Sequence, residues 1–181
     1  MKKKLNLFLL FFVLTLFMFL IVLNNNYFHI ITVKTVPEET VVFENRISPG
    51  QKIGLAYVHS VAQTPVWEFL GVDRNGNLIL IETHFYDHGA GLPYTAFGEE
   101  LFVSEDHMFK IKNMNRKIDL PLYYRIYQDR GNILQFENHE IRLSDTIGDA
   151  LLAIDVYRLN VFKYSVRYIM NLGGIEIDGQ Y

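Results

Sequence analysis

The chain has 181 residues, half of them apolar, no cysteine, and a formal net charge of −3. That length suits about one ordinary domain, and the lack of cysteine excludes both a disulfide framework and a lipid-modified N-terminal Cys, so packing must supply the stability. Removing the three charges of Lys2, Lys3 and Lys4 leaves −6 on the remainder, a poor match for nucleic acid or anionic lipid.

Residues 1–4 form a basic N-terminus. Leu5 to Leu23 is a nineteen-residue run that is apolar except for Asn6 and Thr15. At about 1.5 Å per residue a helix of that length spans most of a ~30 Å hydrocarbon core. The run ends in Ile21-Val22-Leu23 and Asn24-Asn25-Asn26 with no A-x-A-like site, so it reads as an uncleaved, single-pass signal anchor rather than a signal peptide. The lysines place the N-terminus in the cytoplasm and send the rest of the chain to the outer side of the cell membrane. Residues 24–29 read as a short tether, with Tyr27 and Phe28 at the membrane interface or at the start of the fold, and residues 30–181 as an extracytoplasmic domain.

From there the texture is β. Ile30–Val36 and Thr40–Phe43 are β-branched runs separated by Pro37. In Lys52–Ser60, Ile53, Leu55, Tyr57 and His59 alternate on one face, and Gly54, Ala56, Val58 and Ser60 on the other. Val66–Val72 and Leu78–Phe85 are strands joined by the hairpin signal Asp73-Arg74-Asn75-Gly76. Leu101–Val103, His107–Lys112, Leu122–Tyr127, Ile133–Glu137, Glu140–Leu143 and Lys163–Ile169 are further predicted strands. Ser144-Asp145-Thr146 is expected to cap one short helix running through Asp149–Ile154. Many short strands with frequent turns predict a mainly β, antiparallel sandwich or partly open barrel, with at most one short helix beyond the anchor.

Two clusters carry the chemistry-bearing residues: His59 to Glu68, and Thr83 to Pro93. Pairing Ser60 with Pro65 puts His59 and Glu68 on one face as diagonal neighbours, a pair suited to a base, a proton switch or half a metal site. The Asp73–Gly76 turn decides whether His84 joins them. A two-residue loop puts Thr83 and Phe85 on the Glu68 face. A three-residue loop with left-handed Gly76 puts Glu82 and His84 there, and Asp first with Gly fourth favours this second register. His59, Glu68 and His84 are then the metal candidates. Gly89-Ala90-Gly91 suits a small anion nest or a tight turn, with Pro93 fixing its exit. Ser60 and His59 are adjacent on a strand and point to opposite faces, which is wrong for a nucleophile and its base.

The pattern His59-Ser60-Val61, Thr64-Pro65-Val66 with Glu68, Thr83 with Phe85, and Gly89-Ala90-Gly91-Leu92-Pro93 resembles an uncharacterised bacterial family, domain-of-unknown-function family 1850. Its members are small exported or membrane-anchored proteins. The resemblance covers roughly residues 59–93 and singles out His59, Ser60, Thr64, Pro65, Glu68, Gly89, Gly91 and Pro93 as positions of interest, all but Pro65 being candidate ligand-binding residues. It also implies genes beside TRAP-type transporters with TAXI-type solute-binding proteins, and no established activity, fold or cofactor. Asp87-His88 departs from the small hydroxyl and aromatic expected there, so the resemblance assigns His88 no role.

The first functional expectation is a membrane-anchored extracytoplasmic accessory or interaction module, with TRAP transporter components as partners. The second is a small-ligand or metal sensor centred on His59 and Glu68, its ligand unknown. A membrane-bound hydrolase ranks last, because the chain has no nucleophile elbow, metalloprotease helix or phosphate loop. No catalytic residue and no cofactor is assigned, and nucleic acid is not an expected partner.

Overall fold

The computed structural model describes residues 2–87, 92–93, 95–105 and 107–172. In chain order the elements are helix α1 (Lys2–Asn25), strands β1 (Tyr27–Val36), β2 (Val41–Ile47), β3 (Ile53–Val58), β4 (Pro65–Val72), β5 (Leu78–Phe85), β6 (Leu101–Glu105), β7 (Met108–Lys112), β8 (Arg116–Lys117) and β9 (Leu122–Ile126). A single 3-10 turn (Gln128–Arg130) leads to β10 (Ile133–Phe136), β11 (His139–Arg142), α2 (Leu143–Ile147), β12 (Ala150–Asn160) and α3 (Val161–Leu172).

The chain divides into two compact units. One runs from Ile30 to Tyr157 and contains two sheets. The smaller has strand order β2-β1-β12-β9; the larger has β11-β10-β3-β4-β5-β7-β6, with β8 beside β5. Every described register is antiparallel. Ile31, Val33, Ile126, Leu152 and Ile154 of the smaller sheet share one buried cluster with Ile53, Leu55, Leu70, Leu78, Leu134 and Phe136 of the larger. The two sheets thus bury one apolar cluster, and each fully buried aliphatic side chain contributes about 1.5–3 kcal/mol to it. A second cluster, Val66, Phe85, Leu92, Ile111 and Met114, lies further along the larger sheet.

The other unit comprises residues up to His29 and from Arg158 on. Asn26 ends α1 by donating its backbone and side-chain N–H to the Val22 carbonyl. β1 begins at the next residue, so Tyr27 and Phe28 are in strand. The side chains described in α1, Phe8 to Val22, are exposed. Among the described residues, no helix is both long and apolar enough to cross a membrane.

Three sequence expectations are corrected. The helix expected through Asp149–Ile154 is strand β12, an inner strand of the smaller sheet. The Ser144-Asp145-Thr146 signal belongs to α2 itself, which Gly148 ends at φ +65°. With Leu152 and Ile154 both buried, alternate side chains face the core and period two prevails. The strand expected at Lys163–Ile169 is helix α3, whose N-cap Asn160 accepts the Lys163 N–H at 2.8 Å. Among the described residues two helices, α2 and α3, therefore follow α1, rather than at most one.

A candidate ligand cleft around Glu68

The inner face of the larger sheet is apolar at both ends and polar between them. β3 and β4 pair Leu55 with Glu68, Tyr57 with Val66 and Val58 with Pro65. The connecting loop closes with the His59 N–H donating to Thr64 O at 2.9 Å and the Gln63 N–H to His59 O at 2.9 Å. This moves the closing pair back one residue on each strand from the expected Ser60–Pro65 pairing. The register thus slips by two, which preserves the faces but corrects the expected pair: Tyr57 is the diagonal neighbour of Glu68 in place of His59, which lies one pair further along. His59 itself organises the loop. Its Nδ1 accepts the backbone N–H groups of Ala62 (3.1 Å) and Val61 (3.3 Å), so the neutral ring carries its proton on Nε2.

The register between β4 and β5 is decided twice. The turn takes the three-residue form: Asp73 exchanges hydrogen bonds with Asn77, and Gly76 sits at φ +81°. Leu70 accordingly pairs with Leu80. Then the ladder slips, and Phe69 pairs with Glu82, Glu68 with Thr83 and Trp67 with His84. Ile81 is the extra residue; its carbonyl accepts the Met114 N–H instead of a β4 donor. The bulge reverses the faces beyond it. Glu82 and His84 therefore lie on the outer face with Trp67 and Phe69, away from Glu68.

On that outer face Glu82 bonds Lys52 Nζ at 2.6 Å and His84 Nε2 at 3.1 Å, and the His84 ring lies 4.8 Å from Phe69. Burial would raise the Glu82 carboxyl, but Lys52 and His84 together hold it below its usual range. Burial draws the His84 imidazole down, against the upward pull of Glu82. The expected metal set of His59, Glu68 and His84 is thereby split across the sheet. Among the described residues no three His, Cys, Asp or Glu side chains converge on a metal position.

Glu68 opens instead onto a cleft of about 540 Å³. His59, Ser60 and Tyr57 line it from β3 and the loop after it; Tyr124 and Arg125 line it from β9. Among the described residues no hydrogen bond or ion pair reaches the Glu68 carboxylate, and burial raises its pKa. Burial and the nearby Glu68 charge push the Tyr57 hydroxyl up to about 12, and burial raises Tyr124 further, so both phenols remain protonated near neutrality. Tyr124 is held from behind: its hydroxyl donates to Ala56 O (3.4 Å) and accepts from Asn132 Nδ2 (3.3 Å). Buried Asn132 in turn donates its N–H to Ser144 Oγ at 2.6 Å, and its Oδ1 accepts the Tyr127 N–H at 3.1 Å.

Of the candidate ligand-binding residues, His59, Ser60 and Glu68 line this one cleft. Thr64 stands at the loop's closing pair, outside the lining, with its hydroxyl buried and lacking a partner among the described residues. Pro65 begins β4. Leu92, beside Pro93, packs into the second apolar cluster. Gly89 and Gly91, like His88, lie outside the described residues. Sequence reasoning missed Tyr57, Tyr124 and Asn132 as parts of the site. Nothing local marks Tyr124 within the predicted strand Leu122–Tyr127, because pairing in another sheet leaves no trace in a short window.

The model of the family described as a domain of unknown function, DUF1850, matches residues 53–143. That span begins at β3, ends at the first residue of α2, and includes the residues of the cleft named above. No curated protein and no solved structure matches the chain. With more than half its length inside that match, this mainly β chain belongs to the DUF1850 family.

Proposed function

We propose that this protein is a membrane-tethered module that binds a small ligand in the Glu68 cleft on the outer side of the cell membrane. One observation carries the reading: a half-buried carboxylate without a protein partner among the described residues faces a cavity large enough for a small metabolite. The surroundings are those of a binding site. Aromatic rings supply contact area, and the Asn132–Ser144 network keeps Tyr124 in place before any ligand arrives.

The anchor supplies the location. The exposed apolar side chains of α1 require an apolar covering, and the basic Lys2-Lys3-Lys4 precedes them. A module held there is placed to serve a solute transporter of the TRAP type in the same membrane. The test is the thermal stability of the full chain in detergent against a metabolite panel. A ligand at a hundredfold over its Kd stabilises by ~2.7 kcal/mol, and the shift should shrink in Tyr124→Ala. A panel without any shift would sink the binding function. Unchanged solute uptake after removal of the gene would sink the transporter role.

A further inference from the structure

The cleft holds a negative charge that no described residue answers. Tyr124 and the cations around the cleft are already engaged elsewhere among the described residues. The Tyr124 hydroxyl gives its proton to Ala56 O. Arg125 at the mouth lies over the Tyr127 ring at 6.0 Å, and Arg130 pairs with Asp129 at 3.8 Å. On the opposite face Lys52 is bound to Glu82, and Lys110 to Glu105 at 3.0 Å. What the Glu68 oxygens lack is an N–H donor with positive charge, delivered from the cleft.

Resting on the ligand-binding reading above, we propose that the ligand is an organic ammonium ion, its amine seated on Glu68 beside the edge-to-face pair of Tyr57 and Tyr124, whose centroids lie 6.4 Å apart. An ammonium supplies both missing properties, charge and several N–H donors, through charge-assisted hydrogen bonds. The tyrosine rings add the attraction of an aromatic face for a cation. A carboxylate ligand would meet Glu68 with like charge, and a sugar would leave that charge unneutralised. A bare metal ion fits poorly, because Ca²⁺ takes six to eight oxygen ligands and Glu68 is the only carboxylate among the described residues lining the cleft. The arginines at the rim disfavour a polycation and suit a monoamine, including one with a carboxylate at its far end.

The test uses the full chain in detergent at neutral pH. Pentylamine, phenethylamine and 5-aminopentanoate are set against pentanoate, glucose and CaCl2, with Tm and calorimetric titration as readouts. The expected result is a Tm rise of several degrees with the amines only. Affinity should fall at least tenfold in Glu68→Gln and less in Glu68→Asp, which keeps the charge one methylene further back. Circular dichroism verifies that both variants are folded. A rise with pentanoate, glucose or CaCl2 but with no amine would overturn the ammonium assignment and leave the binding site standing. Amine binding that is equal in wild type and Glu68→Gln would overturn it too. No response to any probe would overturn both the assignment and the reading beneath it.

Discussion

Glu68 stands directly opposite Thr83, one place out of the register that the Asp73–Gly76 turn imposes on the same two strands. The slip occurs at Ile81, and it separates two groups that share a face in an unbroken ladder. Glu68 turns inward, alone, to the cleft. Glu82 and His84 turn outward and satisfy each other and Lys52.

Gly71 makes room for the bulge. A Cβ at this position would collide with the Ile81 side chain and lie 2.8 Å from the Gln51 carbonyl oxygen. Gly71→Ala is therefore expected to destabilise by about 1–3 kcal/mol, the usual range for overpacking. Adding Ile81→Val removes the flexible half of the clash and leaves the backbone half, so recovery should be partial. Chemical denaturation of the two variants measures this, and full recovery would show that Gln51 O is no obstacle.

The Glu68 carboxyl releases its proton less readily when folded than when unfolded, because burial disfavours the charge. Above the ordinary Glu value of about 4.3 the unfolded chain sheds that proton first, so this group erodes stability as pH rises. Glu68→Gln should therefore raise Tm at pH 7, by ~2–4 °C for each kcal/mol relieved, and have no effect below about pH 4. A variant less stable than wild type at pH 7 would show that the charge is already compensated.

His84 acts in the opposite direction with pH. Its folded pKa is depressed, chiefly by burial, so the unfolded chain takes up the proton first on acidification. The stability that depends on neutral His84 is complete above about pH 6.5 and is lost as pH falls below it. His84→Gln, which keeps a donor for Glu82, should flatten the fall in Tm between pH 7 and pH 5. Identical pH profiles would remove His84 from the account.

The Asn132–Ser144 network should behave as one unit. Ser144→Ala strands the buried Asn132 backbone N–H, whereas Asn132→Ala strands the Tyr127 N–H and removes a donor from Tyr124 while Ser144 keeps the residue-132 backbone N–H and the Tyr127 carbonyl. Each is expected to cost about 1–3 kcal/mol, and the double variant less than the sum of the two. Ligand affinity should fall in Asn132→Ala as Tyr124 loses its donor, whereas a purely structural role would change stability and leave affinity intact.

A membrane location predicts that the full chain sediments with membranes and resists extraction at high pH. A chain starting at Asn26 should become soluble. Full-length protein in the soluble fraction would contradict the tether.

Local order was legible in the residues alone. Alternation in Ile53–Val58 and Pro65–Val72 marks both strands and their inner faces, and Asp73-Arg74-Asn75-Gly76 specifies its own turn. The resemblance carried by His59 to Pro93 leads to the family. Periodicity failed where two periods compete over a short window. Ala150–Ile154 reads as a helix until Leu152 and Ile154 find the opposing sheet, and Lys163–Ile169 reads as a strand until Asn160 caps it.

The site itself was decided by tertiary structure. Turn chemistry determines register only as far as the ladder runs unbroken, and an inserted residue reverses every face beyond it. The Ile81 bulge depends on Gly71 and Met114, which are far apart in the chain, so no local window announces it. The meeting of Glu68 with Tyr124 likewise comes from different sheets. Composition and alternation determined that this chain makes β structure with an apolar interior, because burial is a property each residue carries along the chain. Which carboxylate would face the cleft was settled only when distant strands met.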